Sequence, residues 1–113
     1  MTARNILLSA PPYAVEQALK RLGVNLRTAR LRRNLTIEEV AEKIGTGPRP
    51  VSDAEKGKPS TSAAVYVALL WSYDLLDQIE DLASPELDEH GLTLSMAGER
   101  ERARERKELD NEF

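Results

Sequence analysis

The side chains able to do chemistry in this sequence are mostly hydrogen-bond donors to anionic oxygen, and they cluster before residue 60. Arg27, Arg30 and Arg33 recur at three-residue intervals, and Thr36, Arg49, Ser52, Asp53, Lys56 and Lys58 follow. Guanidinium, ammonium and hydroxyl groups at that density suit a phosphate backbone, with Arg27, Arg30, Arg33, Thr36, Lys56 and Lys58 as the phosphate contacts. Arg49 can grip both acceptors on the major-groove edge of guanine, and Ser52 can make a more tolerant base contact. Asp53 is the odd member: it must accept from a cytosine amino group or be held away from phosphate. Without a ligand, the same arginines read as the solvated flank of a helix.

Little else in the chain is equipped to react. His90 is the one histidine and lies in an acidic stretch between Pro85 and Gly91. Asp88, Glu89 and His90 are adjacent and lack further spaced ligands, which is the pattern of a polar loop more than of a metal centre. Neither a Gly-rich phosphate loop nor a His-Glu-x-x-His pattern occurs. There is no cysteine, which excludes disulfides and thiolate metal sites. The expectation is a protein without catalysis, metal or cofactor.

The donors need elements to position them. Thr36 and Glu39 form a capping box, so a helix should start at Ile37. Ile37, Val40, Ala41 and Ile44 give it one apolar face, and Gly45 can end it in the left-handed conformation. A second short helix should open near Gly47 or Pro48 and stop before Gly57. Val51 and Ala54 then face inward while Arg49, Ser52, Asp53 and Lys56 face outward. Pro48 and Pro50 are tolerable in its first turn, where amides have no intrahelical partner to lose. Two short helices joined at Gly45 make a helix-turn-helix, the arrangement that lays its second helix in the major groove. The same pair without a ligand is a plain helical hairpin.

The flanking chain reads as more helix. Residues 1–11 end in Pro11-Pro12 and are expected to be a mobile arm. A helix over about 13–33 carries Val15, Leu19, Leu22, Leu26 and Ala29 as a buried stripe, and Gly23 weakens it by about 1 kcal/mol relative to alanine, enough to allow a kink or break there. Ser60 or Ser62 should cap a helix reaching about Tyr73, with Val65, Tyr66, Leu69, Leu70 and Tyr73 inward. Trp71 lies off the centre of that face and is a candidate dimer or partner anchor. A fifth helix is expected over about 75–83, with Asp74 and Asp77 near the positive end of its dipole. Residues 12–83 then form one helix-turn-helix domain and 84–113 a linker and dimerising or partner-binding tail. Leu92, Leu94 and Met96 alternate with Thr93 and Ser95, which predicts a short strand pairing with its copy across a dimer. Residues 99–109 interleave five basic with four acidic side chains, an exposed helix or an arm that orders on a partner.

Composition agrees with an all-α fold. The chain has 113 residues, 41% hydrophobic with only 4% aromatic, which suits one small core of Leu, Val, Ile and Ala. No segment approaches the length of a membrane span, and the protein is expected to be cytoplasmic. The net charge of −3 hides a division. Residues 1–60 hold 11 Lys and Arg against 6 Asp and Glu, a balance of +5; residues 61–113 hold 5 against 13, a balance of −8. A basic half containing the helix-turn-helix beside an acidic half fits one surface meeting phosphate and another not.

Residues 22–83 resemble the five-helix, lambda-repressor-like domain of the Xre and phage Cro repressor family. The likeness is carried by Leu26-Arg27-x-Ala29-Arg30-x-x-Arg33, Leu35-Thr36-x-Glu38-Glu39-Val40-Ala41, Gly45, Val51-Ser52, Glu55-Lys56-Gly57 and Pro59-Ser60. More narrowly, Leu69-Leu70-Trp71-Ser72-Tyr73-Asp74-Leu75-Leu76-Asp77 and Ser84-Pro85-Glu86-x-Asp88-x-x-Gly91-Leu92 are similar to HipB-type antitoxins. That resemblance implies a homodimeric autorepressor that binds an inverted-repeat operator and holds a HipA-like kinase toxin. A stand-alone Xre-type repressor and a partner-binding module with a degenerate helix-turn-helix are the alternatives. Three departures from the family's pattern stand out. Ile37 replaces a glutamine that meets DNA, Gly47-Pro48-Arg49-Pro50 replaces a hydroxyl-rich start of the second helix, and Asp53 stands where a basic or polar residue is usual.

Overall fold

The computed structural model describes residues 5–111, and it is helical with no strand among them. The helices are α1 (Ile6–Ser9), α2 (Tyr13–Arg32), α3 (Ile37–Ile44), α4 (Pro48–Glu55), α5 (Ala63–Ser72) and α6 (Glu89–Asn111), with 3-10 stretches at Leu76–Asp81 and Pro85–Leu87. The chain divides after Ile79 into two compact units.

In the first unit each helix boundary has a local cause. The Thr36 hydroxyl accepts from the Glu39 amide at 3.1 Å while the Glu39 carboxylate accepts from the Thr36 amide at 3.2 Å, the expected capping box. Ser62, rather than Ser60, caps α5 by accepting from the Val65 amide at 3.3 Å. Helices α2 to α5 all end alike, with left-handed residues Asn34, Gly45, Gly57 and Asp74 following them. The next residue's amide then reaches back to a carbonyl in the last turn: Leu35 to Arg30, Thr46 to Ala41, Lys58 to Asp53 and Leu75 to Leu70. Carbonyls that the helix leaves unpaired are thereby satisfied by the backbone itself, and the connections stay short.

The core consists of Leu26, Ala29, Val40, Ala41, Val51, Ala54, Leu69 and Tyr73, with Leu22, Leu35, Ile37, Ile44, Val65, Tyr66, Leu70 and Leu75 packed around it. Val15, at the start of the expected stripe, is instead exposed. Helix α2 runs through Gly23 without a break. The glycine serves a different purpose: a Cβ there would collide with the carbonyls of Ala54 and Glu55 at the end of α4. Gly57 does the same on the other side of that junction, since a Cβ on it would lie 2.6 Å from the Leu19 carbonyl oxygen. Two glycines thus let α4 end directly on the backbone of α2.

Two expectations about the flanks are corrected. The fifth helix is a 3-10 stretch at Leu76–Asp81, because Asp74 is already committed to terminating α5 at φ 59° and Ala83 turns left-handed at φ 55°. At the N-terminus, residues 1–4 of the expected arm lie outside the described residues, while Ile6–Ser9 makes one helical turn with Ile6, Leu7 and Leu8 exposed.

In the second unit the strand expected around Leu92 is part of α6. Asp88 opens that helix, its carboxylate accepting from the Gly91 amide at 2.9 Å and its carbonyl from the Leu92 amide at 3.1 Å. The helix-forming run of Glu, Arg, Ala and Lys beyond Glu99 carries the same geometry back through the alternating residues. At about 100° per residue, Leu92 and Met96 share a face while Leu94 points away from it. The cross-dimer ladder of all three is therefore excluded. Every residue from Leu92 to Asp110 is exposed.

Candidate nucleic-acid interface

Helices α3 and α4, with Gly45 to Gly47 between them, are the helix-turn-helix. The turn is tight because Gly45 sits at φ 86° and its amide, with that of Thr46, closes onto the last turn of α3. Val40 and Ala41 of α3 and Val51 and Ala54 of α4 are buried, so the register of each helix is fixed by its apolar pair. What remains outward on α4 is Arg49, Ser52, Asp53 and Lys56. With Ile37, Glu38, Pro48 and Lys58 these line one shallow concave surface.

The start of α4 is unusual in its donors. Gly47 at the cap has no side chain to offer, and Pro48 and Pro50 have no amide hydrogen, so Arg49 supplies the one amide donor of the first three helical positions. A backbone grip on phosphate at this helix start is correspondingly thin. Recognition falls to side chains. Arg49 is exposed and makes no ion pair or hydrogen bond among the described residues. Lys56 is exposed, and Ser52 is half-buried. Lys58 pairs through its ammonium with the Asp53 carboxylate at 3.1 Å, which neutralises the only acidic group on the outward face of α4.

The three arginines of α2, expected together on phosphate, are parted by the structure. Arg30 is buried: its Nε and Nη2 donate to the two carboxylate oxygens of Glu55 at 2.7 and 2.9 Å, and Nη1 donates to the Leu35 carbonyl at 2.9 Å. The expectation that Arg30 meets phosphate is overturned, because its fork is spent inside the fold. The bond to Glu55 raises its pKa further above an already high ordinary value. Arg33 is exposed but donates to the Ala29 carbonyl at 2.9 Å and the Tyr73 carbonyl at 2.7 Å, with its guanidinium 5.5 Å from the centre of the Tyr73 ring. It ties α2 to the end of α5. Arg27 alone of the three is exposed and without a side-chain partner among the described residues. Thr36, though engaged in its cap as an acceptor, keeps its hydroxyl proton for an outside acceptor.

Lys43 was not singled out from the sequence, Glu55 stood there only as a motif position, and Tyr73 was expected to face inward without a role for its hydroxyl. The signal for Arg30 was present: it follows Leu26 by four and Gly23 by seven, on the apolar stripe of α2. Tyr73 lies against the buried pair with its hydroxyl unpartnered among the described residues, and burial pushes its pKa up to about 12, with Glu55 adding to the rise and Arg30 and Arg33 opposing it. Lys43 donates to the Ser72 carbonyl at 3.1 Å and stands over the half-exposed Trp71 ring at 5.5 Å. Trp71 is thus an aromatic surface already in contact with a cation. In the second unit Leu92, Leu94 and Met96 are all more than half exposed.

The helix-turn-helix domain family model matches residues 21–82, more than half of the chain, from within α2 to the residue after the first 3-10 stretch. Compared with curated proteins and with solved structures, the chain matches none.

Proposed function

Because the chain belongs to the helix-turn-helix domain family, we propose that it is a DNA-binding transcriptional regulator acting as a homodimer on an inverted-repeat operator. The observation that carries this reading is the division of cations in the first unit. Arg30 and Arg33 are consumed by internal contacts, whereas Arg49, Lys56 and Lys58 share one exposed surface with Ser52 on the outward side of α4. Arg49 and Ser52 read bases in this proposal, and Lys56, Lys58, Arg27 and the Thr36 hydroxyl hold phosphate. Two-fold pairing of such helices requires half-site centres about 34 Å apart. Mobility-shift titration against the chain's own promoter, with half-site spacing varied by single base pairs, tests it. Tight binding of a monomer to one isolated half-site defeats it.

In its narrower form the reading makes the chain the antitoxin of a HipBA-like system, with a HipA-like kinase toxin held through the acidic half, residues 61–113, or through its tail. Support comes from the resemblance of residues 69–77 and 84–92 to HipB-type antitoxins and from the exposed face of α6 bearing Leu92 and Met96. Calorimetric titration of the neighbouring gene product into full-length chain and into chain cut after Ala83, with and without operator, distinguishes this from a stand-alone repressor. Undiminished affinity of the shortened chain argues against it. The amide-poor start of α4 favours a second reading, a partner-binding module whose base readout has decayed; specific operator binding excludes that one.

A further inference from the structure

Asp53 is fixed twice over. The Lys58 amide donates to the Asp53 carbonyl at 3.1 Å in the closing loop of α4, which left-handed Gly57 makes possible. The Lys58 ammonium pairs with Asp53 Oδ1 at 3.1 Å, and the Asp53 side chain keeps 22% of its surface, beside Arg49 and Ser52. One carboxylate oxygen is thus held by a cation while Oδ2 is left as an acceptor. With its charge offset by Lys58, the carboxylate can approach the polyanion at little electrostatic cost.

We infer that Asp53, oriented by Lys58, is a specificity-determining residue that accepts a hydrogen bond from the exocyclic amino group of cytosine, near a guanine held by Arg49. This rests on the DNA-binding reading above and names the base chemistry of the same surface. Only two major-groove groups donate: the amino groups of cytosine and adenine. On adenine the donor lies beside the N7 acceptor, which a carboxylate repels; guanine and thymine present acceptors at that edge. Cytosine is selected by attraction and its rivals by repulsion. Arg49 and Asp53 are four residues apart, about 6 Å along α4, which is less than two base-pair steps of about 3.4 Å. The guanine and the cytosine therefore lie within two base pairs of each other in each half-site.

Selection from DNA randomised across one half-site, read by sequencing and repeated with Asp53→Asn and Lys58→Met, tests this. The native chain should enrich both guanine and cytosine at that separation. Asp53→Asn should move the cytosine to adenine, because an amide pairs with both N6 and N7 of adenine, shifting the cytosine-to-adenine ratio about tenfold or more. Lys58→Met should weaken retention on all sequences, because Lys58 also holds phosphate, and should lower the cytosine-to-adenine ratio severalfold beyond that common loss. Unchanged cytosine enrichment with Asp53→Asn, or an equal loss on all sequences, overturns the inference. Enrichment of guanine without cytosine by the native chain overturns it and leaves the DNA-binding reading standing; enrichment of no sequence, with no retention of DNA, removes both.

Discussion

Helices α2 and α6 are the long elements of the two units, 20 and 23 residues, and both carry arginines among apolar residues. Helix α2 buries Gly23, Leu26, Ala29 and Arg30, whereas no residue from Leu92 to Asp110 in α6 reaches even partial burial. The difference lies in phase. Apolar residues of α2 recur every three or four positions and form a stripe, while Leu92, Leu94 and Met96 do not fall on one line. Helix α6 is then held by its Asp88 cap and by propensity, local terms worth a few tenths to about 1 kcal/mol each. Helix α2 draws on tertiary packing and on a buried ion pair, so one long helix is anchored and the other is locally supported.

The sharpest way to break the anchored side is at Arg30 and Glu55, whose side chains are 9% and 6% exposed. Removing one partner strands a buried charge, so Glu55→Ala should lower stability by about 3 to 5 kcal/mol in urea unfolding. Replacing both together should cost less than the sum of the singles. Next in size is Gly23→Ala. Helix propensity alone would make it stabilising by about 1 kcal/mol, but collision with the carbonyls at the end of α4 should turn that into a loss of about 1 to 3 kcal/mol. A gain in the same assay would show that α4 does not close onto α2.

Thr36→Ala removes the cap of α3 and should cost about 1 kcal/mol, with amide exchange quickening first at Glu38 and Glu39. Tyr73→Phe should be neutral or stabilising by up to about 1 kcal/mol, since it deletes a buried hydroxyl without a partner. The native tyrosine also sets a pH limit. Its folded pKa of about 12 lies above the ordinary value of 10.0, so the folded chain holds the proton more tightly. Its contribution to stability is complete below pH 10 and is lost as pH rises through about 12; the Phe variant should lose less stability over that range. The smallest effect belongs to the other side of the comparison. Cutting after Ala83 should shift the unfolding midpoint of the first unit by an amount equal to about 0.5 kcal/mol or less, because surface residues contribute little. A large loss would show that α6 supports that unit.

Local signals carried much of the fold into view. The Thr36 and Glu39 box, Gly45, Gly57 and the apolar spacing of α2 to α5 act over four to seven residues, and such short-range chemistry is written wholly in the sequence. Arg49, Ser52, Asp53 and Lys56 were placed outward by the same periodicity, as soon as Val51 and Ala54 were inward. Tertiary structure decided the rest. Arg30 resembled its neighbours Arg27 and Arg33 until Glu55, 25 residues away, took up its guanidinium. Gly23 read as a weak point in a helix until α4 was seen to end against it. Asp74 was a helix start by charge and became a helix stop, since Leu75 and Leu70 close a loop around it. Leu92 to Met96 alternated like a strand, but with no neighbouring strand among the described residues to pair its amides, the helix begun at Asp88 took the segment. In each case a group's local pattern allowed two roles, and the partner that chose between them, or its absence, became visible only when the chain folded.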